Sequence, residues 1–112
     1  MKTLKKNYEF RNVLSKGKIF TGKYIKIYIK PNKKQENVIG IAIQTKFGNA
    51  VRRNFFKRLI RENYRLIEQR INKGYDIVFL CNNKNALEKI KFEYIKNDME
   101  KIFNLRDKWK EY

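Results

Sequence analysis

Lys46-Phe47-Gly48-Asn49-Ala50-Val51-Arg52-Arg53-Asn54-Phe55-Phe56-Lys57-Arg58-Leu59-Ile60-Arg61-Glu62 reads as a loop feeding a basic amphipathic helix. At about 100° per residue, Arg53, Asn54, Lys57, Arg58, Arg61 and Arg65 gather on one arc, with Val51, Phe55, Phe56, Leu59, Ile60, Leu66 and Ile67 opposite. The second arc is expected to bury and the first to bind anions. Seven Lys or Arg stand between Lys46 and Arg65 against one acid, Glu62. An ordinary solvated helix face mixes the two signs in i,i+4 pairs, and this one does not. Arg52 and Arg53 also fall in the first turn, where the positive end of the helix dipole disfavours cations unless an anion lies close. The pattern points to a phosphate-bearing partner. Asn49 is the expected N-cap; the helix is expected to run to about Arg70, with Gly74 closing the connection that follows.

On both sides of this helix the hydrophobic period changes to two. Val38 to Gln44 sets Ile39, Ile41 and Ile43 on one face and Val38, Gly40, Ala42 and Gln44 on the other, where small residues leave room. Tyr75 to Cys81 is apolar on both faces and reads as an interior strand. Further out, Lys23 to Lys30 alternates strictly, with Ile25, Ile27 and Ile29 opposing Tyr24, Lys26, Tyr28 and Lys30. The polar segment Pro31 to Asn37 predicts a hairpin joining that strand antiparallel to Val38–Gln44. At the start, Met1 to Lys6 reads as a mobile basic tail. Asn7 is expected to cap a short helix carrying Phe10, Val13 and Leu14, which ends at Gly17 in a left-handed position. At the far end, Asn85 and Glu88 predict a capping box. It opens one long helix with Leu87, Ile90, Tyr94, Ile102, Leu105 and Trp109 at three- and four-residue spacing.

The order α-β-β-α-β-α predicts an α+β sandwich, a small, mainly antiparallel sheet with helices packed on its Ile face. A chain of 112 residues is expected to form a single domain, 1–112. Its net charge of +17, from 28 Lys and Arg against 11 Asp and Glu, makes nucleic acid the leading partner class. Part of the Lys count goes with a general Lys, Asn and Ile bias; the arginines of the central helix do not. The lone Cys81 lies in an apolar run and reads as core, in a reduced, cytoplasmic setting. No run reaches the roughly 20 apolar residues of a membrane span, and Met1 to Lys16 lacks a signal-peptide stretch. With no histidine and no spaced acid pair, no catalytic or metal-ligating residue is expected in the protein. Tyr24, Lys26, Tyr28 and Lys30 form an aromatic and cationic sheet face on which unpaired bases can stack. The same tyrosines are equally suited to lining the sheet under the first helix.

The segment Lys46 to Glu62 resembles the arginine-rich signature of the bacterial ribonuclease P protein subunit. Gly48, Asn49, Ala50, Val51, Arg53, Asn54, Lys57, Arg58, Arg61 and Glu62 stand where that family's pattern has them. Phe10, Gly17, Tyr28, Gly40 and Gly74 to Asp76 extend the likeness over most of the chain. Two positions depart from it: Phe55 and Thr45 stand where the family usually carries a basic residue, with Arg52 expected to compensate.

The resemblance implies a ribosomal protein S5 domain 2-like fold with a left-handed strand-helix-strand crossover, against the usual preference. It implies a protein that promotes 5′ leader removal from precursor tRNA by binding a catalytic RNA and the leader, with Mg²⁺ expected through the RNA and no cofactor on the protein. Arg53, Asn54, Lys57, Arg58 and Arg61 match its RNA-binding helix; Lys46, Arg52 and Arg65 join them from the charge pattern, and Asn49 from its place in the signature. Phe10 and Tyr28 match its leader cleft; Leu14, Tyr24 and Lys26 join them from the strand and helix patterns. The chain is expected to be monomeric without RNA and to have no membrane partner, because the basic face lacks interfacial anchors. The alternative is a structural RNA-binding protein of the ribosome or its assembly.

Overall fold

The computed structural model describes residues 1–105, in the order β1 (Lys2–Thr3), α1 (Asn7–Lys16), β2 (Lys18–Thr21), β3 (Ile25–Pro31), β4 (Val38–Ala42), α2 (Ala50–Ile67), β5 (Tyr75–Cys81), α3 (Lys84–Lys89) and α4 (Phe92–Ile102). Short 3-10 turns, Thr45–Phe47 and Glu68–Arg70, flank α2. The strands form one sheet in the order β1-β4-β5-β3-β2. Pairings β1/β4 and β4/β5 are parallel, β5/β3 and β3/β2 antiparallel, so the α+β sheet is mixed. The parallel neighbours β4 and β5 are joined through α2.

The expected hairpin between β3 and β4 does not form, because β5 lies between them. The centre of the sheet falls to β5, which is apolar on both faces, with Ile77, Val78 and Phe79 all buried. The segment after β3 wraps the start of β5 instead of turning back. Asn32 N–H donates to Gly74 O at 2.9 Å, Asn32 Nδ2 to Asp76 Oδ1 at 3.0 Å, and Tyr75 N–H to Asn37 Oδ1 at 2.9 Å. Gly74 adopts φ +100°, which glycine takes without strain.

One face of the sheet meets α2, α3 and α4 over the larger core, which includes Ile25, Ile27, Ile39, Phe56, Ile60, Phe79 and Ile95. The other face meets α1 over Leu4, Val13, Val38 and Val78. Only three of the four helices therefore cover the Ile face, and α1 buries just Val13 of its own residues. At about 1.5–3 kcal/mol per fully buried aliphatic side chain, α1 is the most lightly held layer. Gly40 lets it approach, since a Cβ there would meet Phe10 Cε2 at 2.5 Å.

The ends of the chain also depart from expectation. Met1 to Lys6 is not a mobile tail: β1 covers the edge of β4, Leu4 is buried, and Leu4 N–H donates to Ile39 O at 2.7 Å. Asn7 opens α1 without capping it; the Glu9 carboxylate instead accepts from Lys6 N–H and Lys5 N–H at 2.8 and 2.9 Å, which lowers its pKa. Gly17 is extended, not left-handed (φ −77°, ψ 158°), and its lack of a side chain serves space, as a Cβ would lie 2.5 Å from Val13 O. The single C-terminal helix is two: Asn83, not Asn85, caps α3 through Ala86 N–H at 2.8 Å, and Ile90 turns extended before α4. The break lets Leu87 pack against the loop before α2 while Ile95 and Met99 fill the larger core. Trp109 lies outside the described residues.

Asp98 of α4 clasps the turn into β3. Its Oδ1 accepts from Lys23 N–H at 3.0 Å and its Oδ2 from Tyr24 and Ile25 N–H at 2.7 and 3.1 Å. Asp98→Ala orphans three backbone donors at once, and is expected to lower unfolding free energy by about 3 kcal/mol. Asp98→Asn, which keeps an acceptor, is expected to lose less. Urea titration with an unchanged m-value is the readout; equal loss in both variants would exclude the clasp.

Candidate nucleic-acid interface

Helix α2 is capped as its sequence predicts, with Asn49 Oδ1 accepting from Arg52 N–H at 2.9 Å. Its inner face carries Phe56, Leu59, Ile60, Asn63, Tyr64 and Ile67 into the larger core. Asn63 is satisfied there: its Nδ2 donates to Leu59 O at 3.0 Å and to Phe92 O at 3.2 Å, tying α2 to the start of α4. Val51 and Leu66, expected on the buried arc, are 76% and 61% exposed, because each lies beyond the flank of the face that α3, α4 and the sheet cover. Phe55 is half-buried at that flank.

The basic residues divide into two groups. Lys57, Arg61, Asn54, Arg65 and Arg58 fall within about 100° of arc on the outer face. Asn54, Arg58 and Arg65 are exposed, Lys57 and Arg61 half-buried. The one acid on this strip, Glu62, sits 3.7 Å from Arg58 in an exposed pair that contributes little. Arg52 and Arg53 turn inward instead. The Arg52 Nη2 donates to Leu87 O at 2.8 Å and Glu88 O at 3.0 Å, at the C-terminal end of α3 where carbonyls lack helical partners. Arg53 Nε donates to Gly48 O at 3.1 Å. The mismatch of two cations with the helix dipole is thus relieved partly within the chain. Arg52 is a clamp between helices, so it is poorly placed to replace a cation missing at Phe55. Lys46 and Thr45 are exposed on the turn before α2, and Asn49 spends its side-chain oxygen on the cap.

The second surface lies on the α1 face of the sheet. Register sets Tyr28 beside Val78 and Ile19, and Lys26 beside Leu80 and Thr21, with Ala42 beyond Leu80. Tyr28, Phe10, Leu14 and Leu80 pack around the small core under α1, all half-buried, and Lys26 is half-buried in the adjacent row. Four of the five residues expected here are therefore together. Tyr24 is not: it precedes β3, where the Asp98 clasp breaks the alternation, and it stacks on Tyr94 of α4 with centroids 4.9 Å apart. Leu80 escapes the sequence reading, because a β3–β4 hairpin leaves β5 no place beside Lys26. The doubly apolar pattern of Tyr75–Cys81 is the signal that could have placed that strand in the centre.

Among the described residues no three His, Cys, Asp or Glu cluster to hold a metal. The Cys81 thiol is buried, donates to Asn83 O at 3.4 Å, and has its pKa raised by burial, so it is a poor nucleophile. No described helix is long and apolar enough to cross a membrane.

Comparison with known proteins gives the family. The family model described as Ribonuclease P matches residues 1–106. The chain is 46% identical over 99 residues to the ribonuclease P protein component of Clostridioides difficile, covering 86% of this chain and 87% of that protein. It is 37% identical over 105 residues to the same component of Fusobacterium nucleatum, covering 92% and 95%. Among solved structures it is similar to the RNase P protein of Staphylococcus aureus, with TM-score 0.82, 28% identity and coverage of 98% and 99%. The RNase P protein of Thermotoga maritima gives TM-score 0.81 and 28% identity, with coverage of 92% and 96%.

The two groups of arginines are separable by stability. Arg52→Ala removes a charged donor from two carbonyls and is expected to cost about 1.5–3 kcal/mol. Arg61→Ala, on the outer arc, is expected to stay within about 0.5 kcal/mol of the parent. Thermal or urea unfolding decides, and equal losses would mean that Arg52 does not clamp α3.

Proposed function

This chain belongs to the ribonuclease P protein family, and we propose that it holds the enzyme's catalytic RNA on the outer face of α2 and the 5′ leader of precursor tRNA on the sheet beneath α1. The observation that carries this reading is the separation of two different surfaces. The α2 strip of Lys57, Arg58, Arg61 and Arg65 offers dense positive charge with one acid beside it. The sheet platform offers an aromatic ring, an apolar floor and a single cation in Tyr28, Leu80 and Lys26. Charge without shape suits the phosphates of a folded RNA. A ring over a shallow apolar floor suits the bases of a single strand.

In this reading the protein does no bond-breaking. Hydrolysis belongs to the RNA and the Mg²⁺ it binds, which activate water and stabilise the leaving oxygen; the protein's side chains lack a donor set for such ions among the described residues. The cations of α2 lower the repulsion between catalytic RNA and substrate, so the assembly works at lower Mg²⁺. The light docking of α1, through Val13 alone among its fully buried residues, suits a cleft that must admit an extended strand. The free, buried Cys81 accords with a reducing cytoplasm, and a net charge of +17 accords with a monomer that waits for RNA.

The test is cleavage of a leader-bearing precursor tRNA at low Mg²⁺ by the ribonuclease P RNA of the same organism, with and without the protein. The protein is expected to restore correct cleavage and to be inert alone; no effect would remove the proposed role. Within the assembled enzyme, Tyr28→Ala is expected to weaken precursor binding by about 5- to 150-fold, the worth of one stacked base, and to leave mature tRNA binding unchanged. Equal losses for both RNAs would place the leader elsewhere.

A further inference from the structure

Phe55 stands in a row with Arg52 and Arg58, three residues before and three after it on one flank of α2. The guanidinium carbons lie 5.3 and 5.1 Å from its ring centroid. Val51, Asn54 and Arg61 complete an open groove around this row. Val51 is the most exposed of the large hydrophobic residues described, at 76%. Arg52 is held by the carbonyls of Leu87 and Glu88, whereas Arg58 is exposed and its ion pair with Glu62 is weak.

A groove for phosphates needs charge alone. This one sets an aromatic ring and an isopropyl group, which have no use for a phosphate, between three arginines. We propose that it takes one unpaired nucleobase of the partner RNA, lying against the Phe55 ring and the Arg58 guanidinium with its edge on Val51. The flanking phosphates lie on Arg61 and Asn54. Guanidinium planes and phenyl rings both stack on bases, and a site half built by the fixed Arg52 loses little order on binding. The groove carries three cations and no acid among its lining residues, which favours RNA over a neutral or basic protein surface. The proposal rests on the RNA-binding reading of α2 and adds to it a specific base contact at Phe55.

Two measurements test it. In the first, the full chain with labelled methyl and aromatic groups is titrated with adenosine 5′-monophosphate and, separately, with ribose 5-phosphate, and followed by NMR. The nucleotide is expected to shift Val51 methyl and Phe55 ring resonances through its ring current, and ribose 5-phosphate to leave them in place. Equal shifts with both, or none with the nucleotide, overturn the proposal.

In the second, affinity for ribonuclease P RNA is measured across a salt series for Phe55→Leu and Phe55→Tyr. Leu keeps an apolar side chain at the edge of the core but no ring. It is expected to bind roughly ten-fold more weakly with an unchanged salt slope, and Tyr to restore binding. Binding by the Leu variant equal to the parent, or a loss that Tyr does not restore, rejects the base contact. If the parent chain itself fails to bind that RNA, the proposed function falls and the nucleotide titration alone decides the groove.

Discussion

The central strand β5, buried on both faces, governs this molecule. Because Ile77, Val78 and Phe79 of β5 are all withdrawn from water, the strand must lie inside a sheet and must be covered above and below. That constraint separates β3 from β4, turns β4–α2–β5 into a parallel crossover, and creates two unequal layers. One layer is the large core under α2, α3 and α4; the other is the small core under α1. The candidate leader surface exists because the second layer is small.

Helix α2 has two obligations that its sequence meets in different turns. Its middle and end bury Phe56, Ile60 and Tyr64 inward while Lys57, Arg61 and Arg65 point out. Its first turn instead uses two arginines as internal ties, one to the end of α3 and one to the loop before the helix. Gly48 belongs to the same joint: a Cβ there would lie 2.7 Å from Leu87 Cδ2, so the glycine lets α3 press on the entry to α2. The arginine-rich signature is therefore partly a folding element, and its outer arc alone is left for the proposed RNA contact.

The periodic parts of the chain are legible from residue order alone. The inner face of α2, its Asn49 cap, the Ile faces of β3 and β4, the span of β5 and the split of the basic strip from the core all follow from side-chain direction along a helix or strand. The shared direction of Lys26 and Tyr28 follows too; that Phe10 of α1 lies by Tyr28 is implied by the family resemblance instead. Other features stay hidden because they depend on which groups meet across the fold. The Asp98 clasp joins residues about 75 positions apart, and it moves Tyr24 from the platform to a stack on Tyr94. Leu4 among lysines is too slight a signal to reveal an edge strand, since two residues of pairing carry no periodicity.

Residue order thus sets the local kind of most elements and which of their faces is wet, because a helix or strand presents its side chains at a period the chain cannot change. Net charge and the arginine signature set the class of partner in the same way. Adjacency is another matter: that β5 parts β3 from β4, that Arg52 serves α3, and that Phe55 stands between two guanidiniums beside an exposed Val51 emerge only in the folded chain. Neighbours in space are chosen by the burial of the whole chain at once, and no short window of residues contains that competition.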